Sequence, residues 1–343
     1  MAGEVGLEEH VRLMHEPSFG DVLDARRLIS PHVFRTPLRR YPALCDLLGA
    51  DVWVKHENFQ VLGAFKVRGG LNLIGRTTQE ERAQGFITAS TGNHGQSIAF
   101  AARTFGAACT VVVPLGANPV KVKAIEALGA TVVQHGQAFD AAREQAEKLA
   151  SERGMRYVHP ANEPALIAGV GTCSLEVHED LGAIDFILVP LGAGSGASGA
   201  CIVTDTVSPG TKVFAVQSAQ AQAGYRSWKE GKIVQAPMET FAEGLATAQG
   251  YELPQSILRK RLDDFIVVRD DRIREAMYHY VECTRTLVEG AGAAPLAAAL
   301  DIRSRLQGKR VVLIASGGNA SPQQLRSALE HGDVRSAVGT RRF

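Results

Sequence analysis

Residues 63–69 read GAFKVRG, and Lys66 stands there in a small, mostly uncharged stretch. An amine beside small and aromatic neighbours loses its proton near neutral pH more readily than one in water. The free amine can then form an imine with a carbonyl. A lysine taken alone is more often a surface cation, so its company matters. Residues 192–196 read GAGSG, after the apolar run FILVP (186–190) and before an alanine-rich stretch. Backbone N–H groups of such a turn, with the positive end of a helix dipole, suit a phosphate. Gly194, Gly196 and Gly199 also spell GxGxxG. A dinucleotide turn of that spacing needs an acidic residue about 20 residues on, at the end of the next strand. The run VFAV (213–216) is followed instead by Gln217 and Ser218. A phosphate group without a nicotinamide dinucleotide is the better fit, although a tight strand-to-helix turn would also explain the glycines.

Two further polar turns follow apolar runs. STGNHG (90–95) comes after the strand-like FITAS (86–90), and SGGN (316–319) after VVLIA (311–315). Serine and threonine are favoured helix caps, so Ser90 or Thr91 could simply start a helix, and Ser316 could cap its turn.

These turns need a scaffold, and the rest of the chain supplies the pattern of one. Further β-branched runs lie at 110–114 (TVVVP), 131–135 (TVVQH) and 265–268 (FIVV). Between the runs, apolar residues at spacing three to four predict helices over 96–105, 140–152, 167–181 and 293–306. Strand–helix alternation with continuous rather than alternating apolar strands predicts mostly parallel sheets covered by helices on both faces, an α/β fold.

The four segments in this order resemble the pyridoxal-phosphate (PLP) enzymes of the serine/threonine dehydratase and serine racemase family, fold type II and tryptophan synthase β-like. The resemblance runs from about residue 35 to about residue 325. It implies two lobes: a large PLP-binding lobe of residues 1–82 and 159–343, and a small mobile lobe of residues 83–158. No stretch is left over for a C-terminal regulatory domain. The resemblance implies that Lys66 carries PLP and then moves the α-proton, with Phe65 beside the ring. Gly192, Ala193, Gly194, Ser195 and Gly196 would hold the phosphate, although the family often has four glycines in a row here. Ser90, Thr91, Gly92, Asn93 and His94 would bind the substrate, chiefly through its carboxylate, with Asn93 also on the PLP 3′-oxygen and His94 orienting the loop. Gly244 (in AEGLA) and Glu289 (in VEGAGA) would flank the cofactor. Ser316 would meet the pyridine nitrogen; a serine does not force its protonation as an aspartate would, which favours β-elimination. Racemases carry a serine where this chain has Thr91, so Thr91 is the candidate second-face acid–base group. Metal-using relatives carry a glutamate where this chain has Gln217. An amide is a poor ligand for a hard cation, so no metal is expected there.

The resemblance thus implies a dehydratase that converts a β-hydroxy-α-amino acid into a 2-oxo acid and ammonia. Threonine and serine are the default substrates; hydroxyaspartate and β-aryl serines such as phenylserine stay open. A racemase is the alternative, and a PLP-holding protein without turnover a remoter one. Homodimers or homotetramers are implied by resemblance alone.

Composition bounds the remaining classes. The 343 residues include 37 basic and 36 acidic ones, a net charge of +1, which does not suggest a surface for nucleic acid or an anionic membrane. Cys45, Cys109, Cys173, Cys201 and Cys283 form no CxxC pair. That argues against a disulfide framework or a zinc site and for a reducing cytoplasm. The charged start MAGEVGLEEHVRL has no apolar core of a secretory signal.

Overall fold

The computed structural model describes residues 15–338. Among them are ten strands: β1 (Leu38–Arg40), β2 (Asp51–His56), β3 (Phe86–Ala89), β4 (Cys109–Val113), β5 (Thr131–Gln134), β6 (Arg156–Tyr157), β7 (Phe186–Pro190), β8 (Lys212–Ser218), β9 (Asp264–Val268) and β10 (Arg310–Ala315). They form two mostly parallel sheets covered by helices, the expected α/β class. The described chain divides into two compact units, one of residues 15–34 and 65–172, the other of 35–64 and 173–338. The expected small lobe, 83–158, contains the whole sheet of the first unit, and that unit extends beyond it on both sides.

The first unit holds the four-stranded sheet β5-β4-β3-β6, parallel throughout. β3 and β4 are buried at every residue, as their continuous apolar sequences require, whereas β5 at the edge is partly exposed. Ala142, Ala146 and Leu149 of the helix Phe139–Arg153 pack on Ile87, Ala89 and Val112.

The second unit holds the six-stranded sheet β1-β2-β10-β7-β8-β9. Only β1 runs antiparallel to its neighbour. β10, last in sequence, lies between β2 and β7. The helix Gly290–Asp301 is rich in glycine and alanine and is buried from Gly290 to Ala299. Its small side chains let it sink into the core against Val54, Leu313 and Phe214, consistent with a helix apolar on every side.

The expected helices are present as Asn93–Thr104, Phe139–Arg153 and Pro164–Asp180. The expected helix over 293–306 starts earlier, at Gly290, and breaks at Ile302 into Gly290–Asp301 and Arg303–Leu306. β2 escaped the apolar-run reading because it carries a buried charge. Lys55 Nζ donates to Thr36 O (2.7 Å) and Glu176 Oε2 (2.6 Å), so a charged side chain sits paired inside the unit. No helix of the described residues is long and apolar enough to cross a membrane.

Candidate active site

The sequence-predicted residues fall into two sets, one in each unit. In the first, Lys66 is the opening residue of the helix Lys66–Gly75, with Phe65 as its N-cap. Its Nζ lies 5.3 Å from the Phe65 ring centroid. Burial pulls the ammonium down from 10.5 to about 8, so a substantial neutral fraction exists at mildly basic pH. The glycines after it have a packing reason. A Cβ on Gly70 would stand 2.3 Å from Ser97 Oγ, and one on Gly169 2.5 Å from Arg68 O. Backbones therefore approach closely on two sides of this helix. Ser97 Oγ donates to Lys66 O at 2.6 Å. Arg68, fully buried, donates to Thr172 Oγ1 (3.2 Å) and Phe34 O (3.4 Å).

The turn at residues 90–95 opens the helix Asn93–Thr104, but neither hydroxyl caps it. The N-cap is Gly92, with no side-chain bond to the helix start. Ser90 Oγ instead accepts from Gly92 N at 3.2 Å. Ser90 and Thr91 are half-buried beside this start. His94 is buried, and its Nε2 lies 3.1 Å from Thr88 Oγ1. Thr88 Oγ1 donates to Val158 O (2.9 Å), which leaves it to accept from His94. Burial first, then the nearby Lys66 charge, drives the imidazole down to about 3, so the ring is neutral.

In the second unit, Gly194 is the N-cap of the helix Ser195–Val207, at φ 99°, again without a side-chain cap. Ser195 is buried, and Ala193 and Gly196 are half-buried. A Cβ on Gly192 would stand 2.1 Å from Gly244 O, so Gly244 forms the wall facing this turn. The Gly244 segment is itself held. Asp270, buried, accepts from Ser218 Oγ (2.6 Å), Thr240 Oγ1 (2.8 Å) and Phe241 N (3.1 Å).

Ser316 is buried at the end of β10. Next to it, Gly317 O accepts from Glu289 N (2.9 Å), and a Cβ on Gly317 would meet Glu289 Oε1 at 2.3 Å. Glu289 and Ser316 are thus brought together. Ala64, two residues before Lys66 in the chain, pairs with Gly317 in an isolated antiparallel bridge. Asn319 Nδ2 donates to Leu62 O (2.9 Å), and Gly318 N to Gly63 O (2.9 Å). The approach to Lys66 is therefore pinned by the SGGN turn. Gln217 is fully buried; its Oε1 accepts from Tyr225 N (3.0 Å) at the start of the helix Ala223–Glu230.

Sequence reasoning missed Ser97, Asn319 and Asp270 as supporting groups. Ser97 follows Asn93 by one helical turn, so helix spacing could have placed it on the same face as the turn at 90–95. Asn319 stood in the quoted SGGN segment without a role. Nothing local marks Asp270.

These groups fit a phosphorylated carbonyl cofactor. The turn at 192–196 offers uncapped helix-start N–H groups against a wall that no side chain could share. In the first turn of the same helix, Ser198 Oγ is buried without a hydrogen-bond partner. A desolvated lysine supplies the amine.

Comparison with known proteins agrees. A family described as pyridoxal-phosphate dependent enzyme matches residues 29–317. The L-threo-3-hydroxyaspartate ammonia-lyase of Saccharomyces cerevisiae is 36% identical over 304 residues, 88% of this chain and 93% of that protein. The L-threonine ammonia-lyase of Thermotoga maritima is 34% identical over 92% of this chain and 79% of its own length. Among solved structures, the serine racemase of Dictyostelium discoideum superposes with a TM-score of 0.84 at 34% identity, covering 89% of this chain and 99% of that one. The chain belongs to the pyridoxal-phosphate-dependent enzymes of fold type II, as a carbon–nitrogen lyase of the ammonia-lyase kind.

Proposed function

We propose that this ammonia-lyase acts on a β-hydroxy-α-amino acid of the threonine or serine type and releases a 2-oxo acid and ammonia. The observation that carries the reading is the desolvated Lys66 amine on a helix locked to the substrate-turn helix through Ser97. Bound PLP would supply an electron sink for the charge left at the α-carbon. Lys66 would anchor it through its side-chain amine. The turn at 192–196 would hold its phosphate through backbone N–H groups, and Ser316 would accept or donate at the ring nitrogen without fixing a proton there. Lys66 Nζ would also be the base for the α-proton of the bound amino acid. The uncapped start of the helix Asn93–Thr104, with the hydroxyls of Ser90 and Thr91, would hold the substrate carboxylate and keep the α-hydrogen turned toward Lys66. His94, neutral and tied to Thr88, would set the shape of that turn.

The yeast relative's name supports a second reading, in which the β-carbon bears a carboxylate as well as the departing hydroxyl and the substrate is threo-3-hydroxyaspartate. We further infer a homo-oligomer in a reducing cytoplasm, by family and by five scattered cysteines with no CxxC pair. A 2-oxo acid assay with serine, threonine, threo-3-hydroxyaspartate and phenylserine tests the reading. Turnover of threonine or serine with ammonia release is the expected result. Racemised substrate without 2-oxo acid, or no turnover of any of the four, would overturn it.

A further inference from the structure

The helix Asp270–Thr284 carries a side-chain cluster that the lyase reading does not use. His279, Glu282 and Cys283 stand at positions i, i+3 and i+4, so they share one helical face. One ligand atom from each lies within 4.8 Å of the others. His279 Nδ1 is buried and makes no hydrogen bond, and it lies 3.4 Å from Glu282 Oε2. The other ring nitrogen, Nε2, faces Glu275 Oε1 at 3.9 Å, one turn earlier. Glu275 is in turn paired with Arg272, which also reaches Asp301 Oδ1 at 2.8 Å. Metal-bound histidines commonly present their second nitrogen to a carboxylate that fixes the ring. Glu275 occupies that place.

An imidazole nitrogen, a thiolate sulfur and one carboxylate oxygen suit a borderline-soft divalent ion. Mg²⁺ and Ca²⁺ prefer oxygen-only cages. We propose that His279, Glu282 and Cys283 form a Zn²⁺-binding site, with Glu275 orienting the imidazole and water completing a tetrahedron. The metal forms bonds to Nδ1, Sγ and a carboxylate oxygen, and the Cys283 thiol proton leaves to solvent. With Zn–N near 2.0–2.1 Å and Zn–S near 2.3 Å, ligand atoms lie roughly 3.5 Å apart, so the three must draw in by about an ångström. The Glu282 side chain, 47% exposed, has room to do so. The cysteine spacing argued against a zinc site; a mixed ligand set at helical spacing lies outside that CxxC test.

The test uses PLP-loaded enzyme, stripped with chelator and desalted. ZnCl₂ is titrated against a chromophoric chelator, and retained zinc is counted after gel filtration. One Zn²⁺ per chain is expected, not displaced by excess Mg²⁺. Cys283→Ser and His279→Gln should each lose roughly tenfold or more in affinity, and Glu282→Gln should lose less. Unchanged visible absorbance of the cofactor in each variant marks an intact fold. If His279→Gln loses that absorbance, the partly exposed Cys283→Ser decides. No retained zinc in the wild type, or equal affinity and stoichiometry in Cys283→Ser, overturns the proposal.

Discussion

The hydroxyl of Ser97 donates to the backbone carbonyl of Lys66 at 2.6 Å, and Gly70 is the residue that lets the two helices come that close. A methyl at position 70 would press on both Ser97 Oγ (2.3 Å) and Ser97 O (2.7 Å). Only the first of these can rotate away. Gly70→Ala should therefore cost about 1–3 kcal/mol of stability through overpacking. Ser97→Ala should cost only about 0.5–1.5 kcal/mol for the lost bond. Thermal unfolding of both variants checks the order; a Gly70→Ala protein as stable as wild type would contradict the close packing.

Lys66→Ala should remove both the visible cofactor absorbance and the lyase activity. The pH dependence of cofactor loading is a finer test. Burial lowers the Lys66 ammonium from 10.5 to about 8, so the reactive neutral amine grows as pH rises through 8. The rate at which cofactor-free protein takes up PLP should climb across that range and level off above it. The same sign makes the cofactor-free fold gain stability as pH rises from about 8 to 10.5, where the unfolded chain alone still holds the proton. An uptake rate still climbing tenfold per pH unit well above 9 would place the lysine in water.

Gly192→Ala should weaken PLP binding by roughly tenfold or more, about 1.4 kcal/mol, because the added carbon meets Gly244 O at 2.1 Å and must push the turn aside. Gly194→Asp should be worse: it strains a residue at φ 99° and sets a carboxylate beside the phosphate donors. Equilibrium dialysis against PLP measures both. Tight NADH binding by the wild type with weak PLP binding would instead revive the dinucleotide reading.

Ser316→Asp should hold a proton on the ring nitrogen and strengthen the electron sink. Slower elimination with more racemisation or transamination per turnover is the expected outcome, followed by chiral chromatography of the recovered amino acid. An unchanged partition would reduce Ser316 to a turn residue.

Chelation should leave lyase activity almost unchanged. Gln217 spends its Oε1 on Tyr225 N at 3.0 Å and brings no charge to a hard cation. Activity that EDTA abolishes and Mg²⁺ restores would show that carboxylates from elsewhere build a site.

Much of this architecture could be read from residue order. Continuous apolar runs gave β3, β4, β7, β8 and β10, because strands buried on both faces have no polar side to alternate, and the half-buried edge strand β9 as well. β2 stayed hidden because Lys55 is neutralised by Glu176, a partner 121 positions away. The same limit governs the candidate site. Lys66, the glycine turn and Ser316 sit in short motifs whose chemistry is local. Asp270 acts on Thr240 and Phe241, about 30 residues away, and no motif joins them. The cap at Gly92 rather than at Ser90 or Thr91 is a backbone choice that composition leaves open.

The position of β10 has a consequence for how the protein matures. The last strand of the described residues is inserted at the middle of the sheet, and the turn after it clamps the approach to Lys66. A nascent chain that has already exposed its lysine and its glycine turn still has an unfilled gap beside β2 and β7. Long-range parallel pairing of this kind is slow to close. A chain cut just before residue 310 would therefore lose the centre of this sheet rather than its edge.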